Sequence, residues 1–518
     1  MRNVRPTRIL AVALGVSFVL AACGQKPGIH VEGPIVANPQ GPGTGGEDVT
    51  DGTAGTVGTG GSDGATTSGT SGTTSGTTGR TSGGTAGTTS GTAGTTSGTS
   101  GATSGTTSGT TSGDTSTDGS AGTTTGTATQ TPIGNDRTGV TADSITIGVH
   151  APVTGAAPIP ATSFRDARDL YWLWEIDKQK RTILGRTKVE VLFADDKYDP
   201  ADARPVCRDL ARQSFLVTGG GGTDQIQACG AQAKVQEYLY FSAGVTEAGL
   251  TDNPWYFAAS MTYRQQGILL ASYLKKNFPG QRFAMVVTDT PNFNDAIEGF
   301  ETGIDQAGIR DDFYGVIKHT KGDTTWYSSV AGALDDEVDI VYILSSPTDY
   351  INFAKQAKSN GYGPNEGGGF QYVGVGVTMG LNAILPTGCD SNAVDGGIFF
   401  SPFPALDWAH ANEPTFFEAA DEYGKVADDL AFALWGLNKQ FDAFLTLYGN
   451  TYGTDLTRED YRNLAESTSS LKTNLFPEIG YSPSNHFGGK QVHVVQADCA
   501  KNDGKGEYVT LQSFVSAF

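Results

Sequence analysis

The chain has 518 residues, with 35 Lys and Arg against 55 Asp and Glu, a formal net charge of −20. That acidic balance excludes the basic footprint by which nucleic-acid-binding proteins are recognised. Residues 51–130 hold 66 Gly, Ser or Thr, one Val and no Leu, Ile, Phe, Met, Trp or Tyr, too little apolar surface to offset chain entropy, so this block reads as disordered and the globular part begins near residue 140.

The chain opens with Arg2, Arg5 and Arg8, followed by an apolar run over 9–20 and then Leu20-Ala21-Ala22-Cys23. A positive start, a short apolar stretch and small residues before a cleavage point describe a secretory signal. The run is shorter than the ~20 residues that span a bilayer. Small residues directly before Cys23 resemble a bacterial lipobox, which implies that the Cys23 thiol is lipidated; a plain signal peptide with an incidental Cys is the alternative. Residues 24–139 read as a low-complexity tether, with an r.m.s. span of roughly 50–60 Å per ~100 residues. A literal G-x-S-x-G at 60–64 lies inside it, without the strand and helix that a nucleophile elbow requires.

From 140 onward strand and helix patterns alternate. Ile145, Ile147 and Val149 alternate as a strand, 163–177 reads as a helix, 189–193 as a strand, 200–214 as a helix and 239–242 as a strand. Tyr263, Gly267, Leu270 and Leu274 make one stripe of an amphipathic helix. A second series follows. Residues 283–287 and 340–344 are unbroken apolar runs, as strands covered on both faces require. Helices are expected near 295–306, 328–334 and 349–359, and strands at 371–375 and 397–400. The reading is an α/β fold of two doubly wound lobes, with ligands expected at the carboxyl ends of the strands.

Export permits disulfides, and Cys207, Cys229, Cys389 and Cys499 allow three connectivities. No spacing of Cys and His suits a metal, and no cofactor is expected. Residues 219–222 are four glycines leading into Thr223 and a helix. Gly permits close backbone approach and a helix start offers free N–H groups, so Gly222 and Thr223 are candidates for holding a carboxylate; a capped turn is the simpler reading. Ser345, Ser346 and Tyr350 follow the 340–344 strand at its carboxyl end and are candidates from the other series.

The serial order of several segments resembles the branched-chain amino-acid-binding proteins, type I periplasmic binding proteins that serve ABC importers. ITIGVHAPVTG at 145–155, FSAGVT at 241–246, TDTPNFN at 288–294 and HFGGK…VVQ over 486–496 carry the likeness. It spans about 143–515, with a gap-rich stretch near 405–480. The resemblance implies a three-strand hinge, with one lobe from about 140–262 and 402–483 and the other from 263–401 and 484–518. It implies the disulfides Cys207–Cys229 and Cys389–Cys499. It also implies ligand contacts from Thr154, Gly155, Thr223, Val245, Thr246 and Phe293. One departure stands out: the family's ammonium-binding Glu falls near Gly376, where this chain has no acid. Either Asp289 or Asp407 serves instead, or the ligand is not a standard amino acid.

The function expected from the sequence is a membrane-anchored, extracytoplasmic solute-binding protein. It would capture a small polar ligand (an amino acid, amide or small carboxylate) between its lobes and deliver it to an ABC permease. The membrane would be met only through the N-terminal lipid, and nucleic acid is not a partner. An extracellular sensor of the same fold is the alternative, and an exported enzyme a further one.

Overall fold

The computed structural model describes residues 30–32, 130–243, 246–365, 367–376 and 381–518. Cys23, the signal sequence, the stretch 33–129, Gly244 and Val245 lie outside the described residues. Among those described, no helix is long and apolar enough to cross a membrane.

Among the described residues, thirteen strands form two sheets, one in each lobe. The first sheet has the order β3-β2-β4-β5-β6, built from β2 (Ser144–Ala151), β3 (Lys188–Asp195), β4 (Leu216–Gly219), β5 (Leu239–Ser242) and β6 (Tyr256–Ala258). All its pairings are parallel. Parallel neighbours need crossovers, and the helices Pro200–Ala211 and Thr223–Gln236 supply them. Asp199 caps the former, accepting from the Ala201 N–H at 2.7 Å, with Pro200 at the first helical position.

The second sheet has the order β1-β8-β7-β9-β10-β11-β12-β13. Its parallel centre is β7 (Phe283–Thr288), β8 (Phe313–His319), β9 (Ile340–Leu344), β10 (Gln371–Val375) and β11 (Ile398–Ser401). Every residue of β7 and β9 is buried, as their unbroken apolar runs require. Two antiparallel strands, β12 (Val492–Asp498) and β13 (Glu507–Val515), close one side. β1 (His30–Glu32), inside the range assigned to the tether, runs antiparallel to β8 on the other.

The helices Tyr263–Asn277 and Asn294–Ala307 pack at unusually close range. A Cβ on Gly299 would lie 2.3 Å from the Arg264 carbonyl oxygen, and one on Gly303 2.7 Å from the Ile268 Cα. Thr262 and Gln265 form a capping box at the start of the first of these helices.

Three expectations are corrected. The helix expected over 163–177 is broken into Ala161–Phe164, Leu170–Trp172 and a wide turn at Leu173–Lys178. Ordered contacts begin before residue 140: the Ile133 and Gly134 N–H groups donate to Asp460, and Asp136 pairs with Arg458 at 3.0 Å. The helix Leu406–Asn412 stays with the second sheet, since Thr510 donates its N–H and hydroxyl to Asp407. The chain therefore rejoins the first lobe later than 402, with the helix Pro414–Glu422 and the long helix Asp429–Tyr452.

At the hinge the crossing segments touch. Ala258 bridges to Phe487, the Tyr481 hydroxyl donates to the Ala258 carbonyl at 2.9 Å, and a Cβ on Gly489 would lie 2.0 Å from the Met261 nitrogen.

Candidate functional site

In each sheet the strand order reverses beside one strand, β2 in the first and β7 in the second. The loops leaving such neighbouring strands diverge and leave a crevice at their carboxyl ends. Between the two crevices lies a cavity of about 420 Å³. The first lobe lines it with the loop 156–160, the glycines 219–222, Thr223, Ile226 and Ala243; the second with Tyr263, Phe293, 344–348, Leu381, Ala383 and Ile384. Phe164, Phe476 and four residues of the long helix close the remaining wall.

The glycine run is required by close approach. Gly219, Gly220 and Gly221 have φ of +138°, +140° and +134°, and a Cβ on Gly219 would sit 2.0 Å from the His150 carbonyl oxygen. Gly222 is the N-cap of the helix Thr223–Gln236 and supplies no side-chain cap. The helix start at the cavity therefore offers backbone N–H groups and the positive end of its dipole.

On the opposite wall the serines face backward chemically. The Ser345 and Ser346 hydroxyls donate to the Asp349 carboxylate at 2.9 and 2.7 Å, and Tyr327 donates to its other oxygen at 2.8 Å. His319 Nε2 lies 2.9 Å from the Ser345 oxygen and 3.3 Å from that of Thr288. Burial pushes the His319 imidazole below its ordinary pKa, against the pull of Asp349. The serine thus donates to the acid instead of to the histidine, which is not the order of an activated nucleophile.

The lobes are tied beside the cavity. Asp224 of the first lobe accepts from Lys321 Nζ at 2.9 Å and from the Asn292 amide of the second. Lys321 also sits over the Tyr198 ring, 5.4 Å from its centroid.

The structure brings Gly222, Thr223, Phe293, Ser345 and Ser346 together around the cavity. Four other expected residues are not on its lining. Thr154 turns to Asp195, donating its hydroxyl at 2.5 Å, and Gly155 packs on the Lys197 carbonyl. Tyr350 lies in the core of the second lobe, against Tyr372 and Phe399. Thr246 is fully buried and donates to Asp295 at 2.7 Å. Burial would raise the Asp295 carboxyl, but Thr246, the Ala248 and Glu247 N–H groups and Arg264 together hold it below the usual carboxylate range. Thr246 is thus one half of a tie between lobes. Asp407, offered as a substitute acid, is bound to Thr510; neither it nor Asp289 lines the cavity. Cys207–Cys229 and Cys389–Cys499 are both paired. His150 lies near the first pair, but its ring nitrogens meet Asp196 and Tyr240 and both sulfurs are in the disulfide, so no metal set results.

A family model described as periplasmic binding protein matches residues 144–505. The chain belongs to this family. Solved periplasmic binding proteins share its fold. A fatty acid ABC transporter substrate-binding protein from Thermomonospora curvata superposes with a TM-score of 0.59 at 18% identity, covering 74% of this chain and 95% of its own. A solute-binding protein from Rhodopseudomonas palustris BisB5, in complex with 3,4-dihydroxy benzoic acid, gives 0.56 at 18%, over 73% and 98%. A branched-chain amino acid ABC transporter protein from Thermus thermophilus with bound valine gives 0.58 at 15%, over 72% and 96%. A search of curated proteins finds no significant match.

Proposed function

We propose that this periplasmic binding protein captures a small carboxylate between its lobes outside the cytoplasm and hands it to an ABC permease, held to the membrane by a lipid on Cys23. The observation that carries the reading is the cavity walled by the carboxyl ends of both sheets, with an uncapped helix start on one side. Such a site binds by closure: a ligand that touches both lobes favours the closed form by its differential affinity, and no chemistry on the ligand is needed. Among proteins of similar fold, the ligands and substrates include fatty acid, 3,4-dihydroxy benzoic acid and valine; the shared feature is a carboxylate. Among the described residues no acid lines the cavity to receive an ammonium, which favours simple carboxylates over amino acids.

A thermal-denaturation screen of the purified protein against small carboxylates, amides and amino acids tests this. A true ligand at about 100 Kd adds ~2.7 kcal/mol of stability, and the lobes should compact in solution scattering. No stabilisation by any solute, or turnover of one, would sink the reading. In cells, Cys23→Ser should release the protein from the membrane fraction; retention would remove the lipid anchor.

A further inference from the structure

The long helix Asp429–Tyr452 presents Leu430, Ala433, Leu434 and Leu437 to the cavity. Their spacing of i, i+3, i+4 and i+7 is one continuous stripe. The helix is fixed from behind by polar bonds: Trp172 Nε1 donates to Asn438 at 2.9 Å, and the Tyr171 hydroxyl and Arg181 both donate to Asp442. The stripe is therefore a stiff apolar wall.

The rest of the lining agrees in character. It contains no Asp, Glu, Lys, Arg or His among the described residues. Ser345 and Ser346 spend their hydroxyl protons on Asp349, behind the wall. A buried ammonium would find no carboxylate here and would lose its hydration without replacement. A hydrocarbon chain gains from every methylene taken out of water.

We propose that the cavity takes a monocarboxylate with an extended hydrocarbon body, that the Leu430–Leu437 stripe is its specificity-determining wall, and that free α-amino acids are discriminated against. This rests on the solute-binding reading above. The test is calorimetric titration of the purified full chain with butanoate, hexanoate, octanoate, decanoate and L-leucine. Affinity should rise about fourfold per methylene, ~0.8 kcal/mol each, until the cavity is filled, with leucine weaker than octanoate. Ala433→Phe narrows the wall and should weaken decanoate about tenfold or more, ~1.4 kcal/mol, while butanoate is little changed. Leu434→Ala widens it and should flatten the chain-length series, without losing the protein's own folding transition. A flat series in the wild type, an Ala433→Phe effect equal for short and long chains, or leucine binding tighter than octanoate each overturns the ligand class. Tight leucine binding would do so while leaving the solute-binding reading intact. No response to any of these probes also overturns the class, and the broader screen then decides the wider reading separately.

Discussion

Asp429 begins the helix that walls the cavity and is only 4% exposed. Its carboxylate accepts the Asn382 N–H from the second lobe and the Leu430 N–H at 3.0 Å. Burial lifts its pKa to about 7, against the pull of the Asn382 N–H and with added repulsion from Asp428. A carboxyl raised in the folded state binds its proton more tightly there than in the unfolded chain, where it titrates near 3.8. Its favourable contribution is complete below about 4 and is lost as pH rises towards about 7. The loss across that window is up to ~4 kcal/mol. Buried His493, held near 3 by desolvation, acts in the opposite sense: its neutral form is favoured, so stability falls as pH drops below about 6.5. Comparing Asp429→Asn with wild type by denaturant unfolding at several pH values cancels the histidine. The variant should gain relative to wild type between pH 5 and pH 8; a constant difference would mean that Asp429 is ionised throughout.

At the scale of elements, the disulfides fasten different spans. Cys207–Cys229 joins two successive helices of the first lobe across 22 residues, and Cys389–Cys499 joins a helix to the end of β12 across 110. Loop-closure entropy assigns them ~3 and ~5 kcal/mol. The paired substitution Cys389→Ala/Cys499→Ala should therefore lower stability more than Cys207→Ala/Cys229→Ala in denaturant titrations; the reverse order would show that local packing outweighs chain entropy. Strands β7 and β9 were legible because fully buried strands write unbroken apolar runs. β8 was not read, because Tyr314, Gly315 and Lys318 interrupt its pattern near the sheet's edge. The helix after 161 was misread as continuous: Leu170, Tyr171, Trp172, Trp174 and Ile176 are all buried, a spacing that one regular helical face does not satisfy. The cavity stripe was missed for the opposite reason. Phe432, Trp435, Phe441 and Phe444 are buried as well, so in sequence the ligand-facing and core-facing residues of the long helix look alike. Strand ends located the right loops, but not side-chain direction, which separates Ser345 on the cavity from Tyr350 in the core.

At the scale of the whole molecule, several groups tie the lobes, among them Thr246 with Asp295 and the Asn382 N–H with Asp429. Asp224, Lys321 and Asn292 meet across the cleft, and Lys321 is more than half exposed, so this contact contributes only ~0.2–1 kcal/mol. The cavity's uncharged lining has a kinetic consequence. An anionic ligand must approach a chain of net charge −20; among the described residues no cation lines the cavity, and Lys321 at its rim is paired with Asp224. Ions screen the repulsion once the Debye length falls to about 8 Å, near 0.15 M salt. Stopped-flow association of a carboxylate should therefore speed up as salt is raised, while dissociation stays nearly constant; an association rate that falls with salt would reveal a positive approach path. Capture would be slowest in dilute surroundings and fastest where dissolved ions mask the protein's own charge.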